Sequence, residues 1–451
     1  MQLIYGVKDK PKFAQVLVFA FQQVLAILAA TIAVPAIVGN GMSQSAALFG
    51  AGVGTLVYQL FTKFRSPVFL GSSFAFIGSM FAAFGGAAST ALGYVGLILG
   101  AAFAALVYVI IAIVVKFAGV QWINKLMPAA VIGPTVSVIG LSLAGNAVKD
   151  AVGGSAGYVL HNGSAYEMTA KGWIAFVCAL VTLITIVVSS VYGKKMLKLI
   201  PFIMGILAGY VVATIFTVCG ILFDNETLKI VNFSLFNDMQ WVPDFAFIKA
   251  FGAFKEINAS YILTVAVAYV PVAFVVFAEH LADHKNLSSI IENDLTEDPG
   301  LHRTLLGDGI GSVAGAFFGG CPNTTYGESV GCVAITRNAS VITITVTAFM
   351  AIIAAFIAPF VTFLATIPSC VMGGVCMTLY GFIAVSGLKM VQKVNLEENR
   401  NLFVVSVILI AGIGGMALGI GKVTLTAVAV ALILGIALNA LLSRNVKDDA
   451  E

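Results

Sequence analysis

Cys321-Pro-Asn-Thr-Thr-Tyr-Gly-Glu-Ser-Val-Gly331 lies where hydropathy places the chain inside a membrane, yet it is not apolar. The apolar run before it ends at Gly320, and the next begins after Arg337. Between them stand a proline, hydroxyls, an amide and a carboxylate. In hydrocarbon, backbone that is not helical survives only where protein covers it or a wet cavity receives it, so a polar, broken segment at that depth tends to line a pathway. Glu328 is therefore expected to face a substrate.

The surrounding composition defines the class. Of 451 residues, 60% are hydrophobic and 10% are charged. Soluble domains carry about 25% charge and cannot hide so much apolar surface without a lipid boundary. A soluble protein is excluded, and with roughly 20 residues per spanning helix the apolar runs leave no large soluble domain. The net charge of +3 gives no support to a nucleic-acid partner. Six cysteines lie nearly all in apolar runs without CxxC or metal-ligand spacing, and read as small buried hydrophobes. The run 13–35 is too long for the apolar core of a signal peptide, so it reads as a retained first helix.

Fourteen spans are expected, near 13–35, 44–61, 67–85, 91–116, 127–145, 173–192, 199–223, 258–282, 304–320, 321–336, 341–366, 368–388, 401–420 and 424–442. Those near 67, 304 and 321 are short or interrupted by glycine. With the N-terminus in the cytoplasm, only Lys149, Lys171, Lys229, Lys249, Lys255 and Lys422 of the 24 basic residues fall on outer segments. The other eighteen are inner, which supports an even span count and places both termini in the cytoplasm. The loop 224–258, rich in aromatic residues such as Trp241 and Phe251, reads as an interfacial segment.

An internal echo joins the two halves: Pro128-Ala-Ala-Val-Ile-Gly133 and Pro368-Ser-Cys-Val-Met-Gly373 each open a glycine-rich apolar span. These are spans five and twelve. An offset of seven spans inverts one half relative to the other, as in transporters built from inverted repeats. The third span, Arg65-Ser-Pro-Val-Phe-Leu-Gly-Ser-Ser-Phe-Ala-Phe76, then corresponds to the opening stretch. Both carry proline, glycine and hydroxyls, the paired interruption expected at a midplane site.

The ionisable groups within or ending the spans cluster late, as Glu279, His280, Asp283, Asp308 and Glu328. A charge in the bilayer interior costs a few kcal/mol, so such groups usually face a cavity. Glu279 and Asp283 share one helix face. The alternative is that this segment merely ends a span, the better reading for His280 and His284; Asp308, between two glycines, could equally be a helix-packing group. Two carboxylates near one cavity favour the protonated form through burial and like charge, and so can carry a proton. No Lys or Arg lies deep in any span, which favours a neutral, hydrogen-bonding substrate over an anion.

These residues resemble the nucleobase/ascorbate transporters, and within them the uracil:proton symporters. The likeness rests on Leu70-Gly-Ser-Ser-Phe-Ala-Phe76, on Ala278-Glu-His280 with Asp283, and on Pro322-Asn-Thr-Thr-Tyr-Gly-Glu328 continuing to Gly331, Thr336 and Arg337. The resemblance implies an all-α polytopic fold of two inverted seven-span repeats, with short extended segments in spans 3 and 10. It divides the chain into core segments 13–117 and 258–366 and gate segments 118–257 and 367–443. It implies that Glu279 and Glu328 accept hydrogen bonds from a base, that backbone N–H groups at Phe74 and Gly327 donate to ring carbonyls, and that Phe74, Tyr326 and Ser73 complete the site. Proton coupling would rest on Glu279, Asp283 and Asp308, with no cofactor beyond the proton itself. Three positions depart from the family pattern: Asp283 replaces a histidine, Ser329 replaces the signature asparagine, and Gln23 replaces the histidine of a Gln-His pair. The expected function is uracil import by proton symport across a bacterial cytoplasmic membrane, with a homodimer through the gate segments permitted by their small residues. The alternatives are a xanthine or purine carrier on the same fold, an anion exchanger or channel, and a membrane enzyme, for which no nucleophile or metal cluster is visible.

Overall fold

The computed structural model describes residues 3–119, 121–154, 157–161, 165–194, 197, 200–420 and 423–445. Lys195, Lys198, Lys422 and Lys447 of the orientation argument lie outside the described residues, as do the chain ends at 1–2 and 446–451. Helices α1 (Phe13–Val38) and α2 (Gln44–Phe61) lead to a three-residue strand, β1 (Leu70–Ser72), a 3-10 turn (Phe74–Phe76) and a short helix, α3 (Ile77–Gly85). Then come α4 (Thr90–Ala118), α5 (Gln121–Leu126), α6 (Ala129–Ser142), α7 (Ala144–Ala151), the hairpin β2 (Tyr158–His161) and β3 (Ala165–Met168), α8 (Ala170–Tyr192) and α9 (Pro201–Leu222). A loop of short turns with α10 (Ala246–Ala250) precedes α11 (Ala259–Ile291) and α12 (Leu301–Gly319). Strand β4 (Asn323–Thr325) and helix α13 (Gly327–Thr336) repeat the strand-then-short-helix pattern of β1 and α3. The chain continues through α14 (Val341–Ala354), α15 (Ala358–Thr366), α16 (Ser369–Val391), α17 (Asn399–Ile413), the hairpin β5 (Leu418–Ile420) and β6 (Val423–Leu425), and α18 (Ala427–Asn445).

Each of the fourteen expected stretches carries a helix. Among the described residues seven helices are long and apolar enough to cross a membrane, or eight if α14 and α15, bent by 81°, count as one span. Two of the three stretches expected to be irregular, near 67 and 321, hold a strand followed by a half-length helix; the third is the continuous α12. Helix α11 runs nine residues past the expected end at 282, so the helix does not give way to a loop at His284. His280 and His284 are buried, at 0% and 1% exposure.

Helix starts follow local chemistry. Ser43, Ser89, Thr169 and Asn258 each accept a backbone N–H of the following turn, at α2, α4, α8 and α11. Pro128 and Pro368, the two members of the sequence echo, are extended residues that immediately precede α6 and α16. These two helices pack closely: Ser137 Oγ donates to the carbonyl of Ala384 at 3.1 Å, and Gly133 and Gly387 admit each other's backbone. Helices α1, α2, α4, α11, α12 and α14 pack on one another around α3 and α13. Helices α6, α7, α8, α9, α16, α17 and α18 form a second packed group, and the two groups meet along α1 and α11.

Asn323 is wedged between α2 and α12. Its Nδ2 donates to the carbonyl of Gly50 at 3.1 Å. A Cβ on Gly54 or Gly315 would come within 2.4 and 2.3 Å of the Asn323 side chain, so both must be glycine for the asparagine to fit. Gly315→Ala is expected to destabilise by about 1–3 kcal/mol through overpacking, read as a lower thermal midpoint of the purified protein. Gly145→Ala, with nothing within 4 Å of the added atom, should not lower it.

Candidate functional site

Strands β1 and β4 cross antiparallel, pairing Leu70 with Thr325, Gly71 with Thr324 and Ser72 with Asn323. The ladder extends one step each way: Ser73 N–H donates to the Pro322 carbonyl at 2.9 Å, and Tyr326 N–H to the Phe69 carbonyl at 3.2 Å. Neighbouring side chains complete it. Leu70 N–H donates to Thr55 Oγ1 at 2.9 Å, and Phe69 N–H to Ser329 Oγ at 3.0 Å. All six paired residues are buried.

Each strand feeds directly into a helix N-terminus, the 3-10 turn at Phe74 and α13 at Gly327. The first N–H groups of a helix lack internal partners and carry the positive end of its dipole, so both ends are ready to donate to a ligand. Tyr326 is held across the crossing: its hydroxyl donates to the Ser72 carbonyl at 2.8 Å, and its ring covers Gly71, where a Cβ would lie 2.3 Å from the ring.

A cavity of about 390 Å³ opens beside this crossing. Phe74, Tyr326, Gly327 and Glu328 line it from the strands and their helices, and Glu279 and Asp283 from α11. The facing wall belongs to the other helix group and is mostly apolar, with Val136 and Ile139 of α6 and Leu379 and Ile383 of α16; Ser386 of α16 is its polar member. Thr325 Oγ1 donates to Asp283 Oδ2 at 2.8 Å, tying β4 to α11. No Lys or Arg lines the cavity among the described residues.

The residues expected from sequence separate into two sets. Phe74, Glu279, Asp283, Tyr326, Gly327 and Glu328 meet at the cavity. Ser73 is 1% exposed, off the cavity wall, and its Oγ has no hydrogen-bond partner. Asp308 is fully buried on the far side of α11, where its Oδ2 lies 2.7 Å from His280 Nδ1, while His280 Nε2 is 3.0 Å from Thr304 Oγ1. His284 stacks on His280 with ring centroids 4.0 Å apart; its Nδ1–H donates to the His280 carbonyl at 2.8 Å and its Nε2 is 2.7 Å from the Tyr58 hydroxyl. Helix α11 thus carries carboxylates toward the cavity and histidines toward α2 and α12. Among the described residues no group of three or more His, Cys, Asp or Glu is arranged to hold a metal ion.

Sequence reasoning missed the roles of two residues and one contact. Tyr380 stands edge-on to Phe74, with centroids 6.0 Å apart and an interplanar angle of 79°; only a helical phase for α16 could have exposed it. Thr325 was legible as a hydroxyl but not as the partner of Asp283. Gln23 and Ser329, noted separately as departures, are hydrogen-bonded to each other: Gln23 Nε2 donates to Ser329 Oγ and, at 3.3 Å, to its carbonyl.

Two groups of packed helices, with crossed broken segments and carboxylates facing one cavity between them, make a polytopic membrane-type fold. The sequence profile of the Permease family matches residues 14–420, and the chain belongs to that family, the nucleobase/ascorbate group to which its motifs point. It is 37% identical to a uracil permease of Bacillus subtilis, over 99% of this chain and 97% of that one, and 33% identical to a uracil permease of Escherichia coli K12, over 96% and 92%. The relatives are named permeases, not enzymes. The fold matches the transmembrane domain of the cyanobacterial bicarbonate transporter BicA, with a TM-score of 0.66 and 18% identity over 96% of this chain and 99% of that one. It also matches the murine anion transporter Slc26a9, with a TM-score of 0.68 and 12% identity over 97% and 69%.

The Gln23–Ser329 contact gives a test of site stability. Gln23→Ala is expected to cost about 1 kcal/mol, and Ser329→Ala about 1–3 kcal/mol because it also strands the buried Phe69 N–H. Because they remove one shared contact, the double variant should cost less than the sum, measured as thermal midpoints in a double-mutant cycle.

Proposed function

We propose that the protein imports uracil by proton symport across the cytoplasmic membrane. The observation that carries this reading is the shared cavity itself, where two helix N-termini supply N–H donors and Glu279 and Glu328 supply acceptors. The edge of uracil alternates N–H and carbonyl groups, so it matches a site that alternates acceptor and donor. The uracil permeases among the relatives, aligned over nearly the whole chain, support the same substrate. In this reading the ring lies between Phe74 and Tyr326, its N–H groups facing the two glutamates and its carbonyls facing the backbone N–H groups of Phe74 and Gly327.

The coupled proton resides among Glu279, Asp283 and Asp308. Two of these, Glu279 and Asp283, share the cavity with Glu328, and like charges in one apolar cavity favour taking up a proton before or with a neutral base. Fourteen spans in two inverted repeats, with core segments 13–117 and 258–366 moving against gate segments 118–257 and 367–443, provide alternating access. The paired strand-then-short-helix units and the packing of the helices into two groups support this division. Both termini face the cytoplasm, and a dimer forms through the gate. The fold neighbours include anion transporters, but at 12–18% identity they speak to fold alone, and a cavity with three carboxylates and no lining cation suits an anion poorly.

Uptake of labelled uracil into cells or vesicles, against xanthine and with or without a protonophore, tests this directly. Uracil should accumulate and xanthine should not, and the protonophore should abolish accumulation; uptake indifferent to the gradient refutes symport. Glu328→Gln should lose uracil binding, by more than about tenfold, while retaining the wild-type thermal midpoint. Wild-type affinity in that variant would remove Glu328 from the site.

A further inference from the structure

Residues 3–9 do not trail from the first helix. They run beside the connection between α13 and α14, with Tyr5 and Asn338 forming a parallel bridge. The N–H groups of Ile4 and Tyr5 donate to the Arg337 carbonyl at 2.8 and 3.3 Å. In return Ala339 N–H donates to the Tyr5 carbonyl at 2.9 Å, and Val341 N–H to the Val7 carbonyl at 3.1 Å. Ser340 Oγ donates to the Asp9 carbonyl at 2.7 Å. Arg337, which ends α13, has the left-handed φ of +57° that turns the chain into this pairing.

Side chains fasten the same segment. Leu3 and Val7 pack on a buried cluster that includes Val330 and Val333 of α13 and Leu287 and Ile291 of α11. The Tyr5 hydroxyl donates to Gln15 Oε1 of α1 at 2.9 Å, and its ring stands edge-on to Phe19. Helix α13 has only ten residues, and its other end carries Gly327 and Glu328. There it is held by Gln23 of α1 through Ser329. A helix that short has little stability of its own; its placement comes from what grips its two ends.

We propose that residues 3–9 are a positioning strap for the substrate site, holding the far end of α13 against α11 so that Glu328 and the N–H groups at Gly327 meet Glu279 and Asp283. This rests on the reading of the cavity as a uracil site. The strap lies wholly within the helix group that contains both short helices, so it moves with the site rather than gating it.

The test compares Ile4→Pro with Ile4→Ala in the full chain. Proline removes the N–H that bonds Arg337; alanine keeps it, and Ile4 is 59% exposed, outside the buried cluster on which Leu3 and Val7 pack. Ile4→Pro should speed amide hydrogen exchange across 327–336 and weaken uracil binding about three- to tenfold, with the maximal uptake rate unchanged. Ile4→Ala should match wild type in all three. An Ile4→Pro protein that exchanges and binds like Ile4→Ala overturns the proposal. Should Ile4→Pro not accumulate in the membrane, Val7→Ser removes an apolar anchor while leaving the backbone bonds, and is expected to change exchange and binding in the same direction; wild-type behaviour there also overturns it. If wild type binds no uracil, the substrate reading fails, while the exchange comparison still decides the strap.

Discussion

The backbone pairing of β1 with β4 is the constraint on which the rest depends. These strands are buried, and an unpaired buried backbone N–H or carbonyl costs several kcal/mol. A three-residue extended segment cannot satisfy itself, so each strand exists only because the other does. Their mutual ladder, lengthened by Ser73–Pro322 and Tyr326–Phe69, lets two helices begin in the middle of the protein instead of at its surface. That is how unpartnered N–H groups come to face a cavity deep in an apolar chain. The glycines that admit Asn323, and the threonine and serine that bond the ladder's outer groups, serve the same end.

Helix α11 completes the site by its rotation about its own axis. Glu279 and Asp283 reach the cavity because His280 and His284 are engaged on the opposite side, by Asp308 and Thr304 and by Tyr58. A buried polar network with nearly all partners in place is rigid, and displacing it would strand several groups at once. It therefore fixes which face of α11 is turned toward the cavity. The Thr325–Asp283 bond secures the same helix from the cavity side. Among the described residues, the mostly apolar wall contributed by α6 and α16 makes no such bonds to the polar half.

Much of this was legible in the sequence because the signals were violations. Polar residues at membrane depth, at 70–76 and 322–328, are rare enough to mark the site, and the breaks there were placed to within a few residues. The carboxylates of the cavity were found for the same reason. The loop expected after His284 is helix because hydropathy reads a window, and the polar residues after Asp283 resemble a helix end; one face of that stretch, with Leu287 and Ile291, is buried against α13 and the strap. Tyr380 and the Gln23–Ser329 bond were out of reach because they depend on which faces of distant helices meet. The N-terminal strap was invisible for a related reason: the order of residues 3–9 comes from backbone bonds to the α13–α14 connection and from contacts of Leu3, Tyr5 and Val7 with parts of the chain distant in sequence.

The close contact of Tyr326 with Gly71 also bears on how such a site can change over time. The ring occupies the space that any side chain at 71 would need, and its hydroxyl is committed to the neighbouring backbone. Neither position can drift alone. A side chain acquired at 71 would be admissible only after the ring at 326 had shrunk or turned away, and a smaller residue at 326 would leave a hole over the glycine. Variation among descendants of this chain is therefore expected to reach the two positions jointly, so that remodelling of the aromatic wall of the site proceeds in paired steps or not at all.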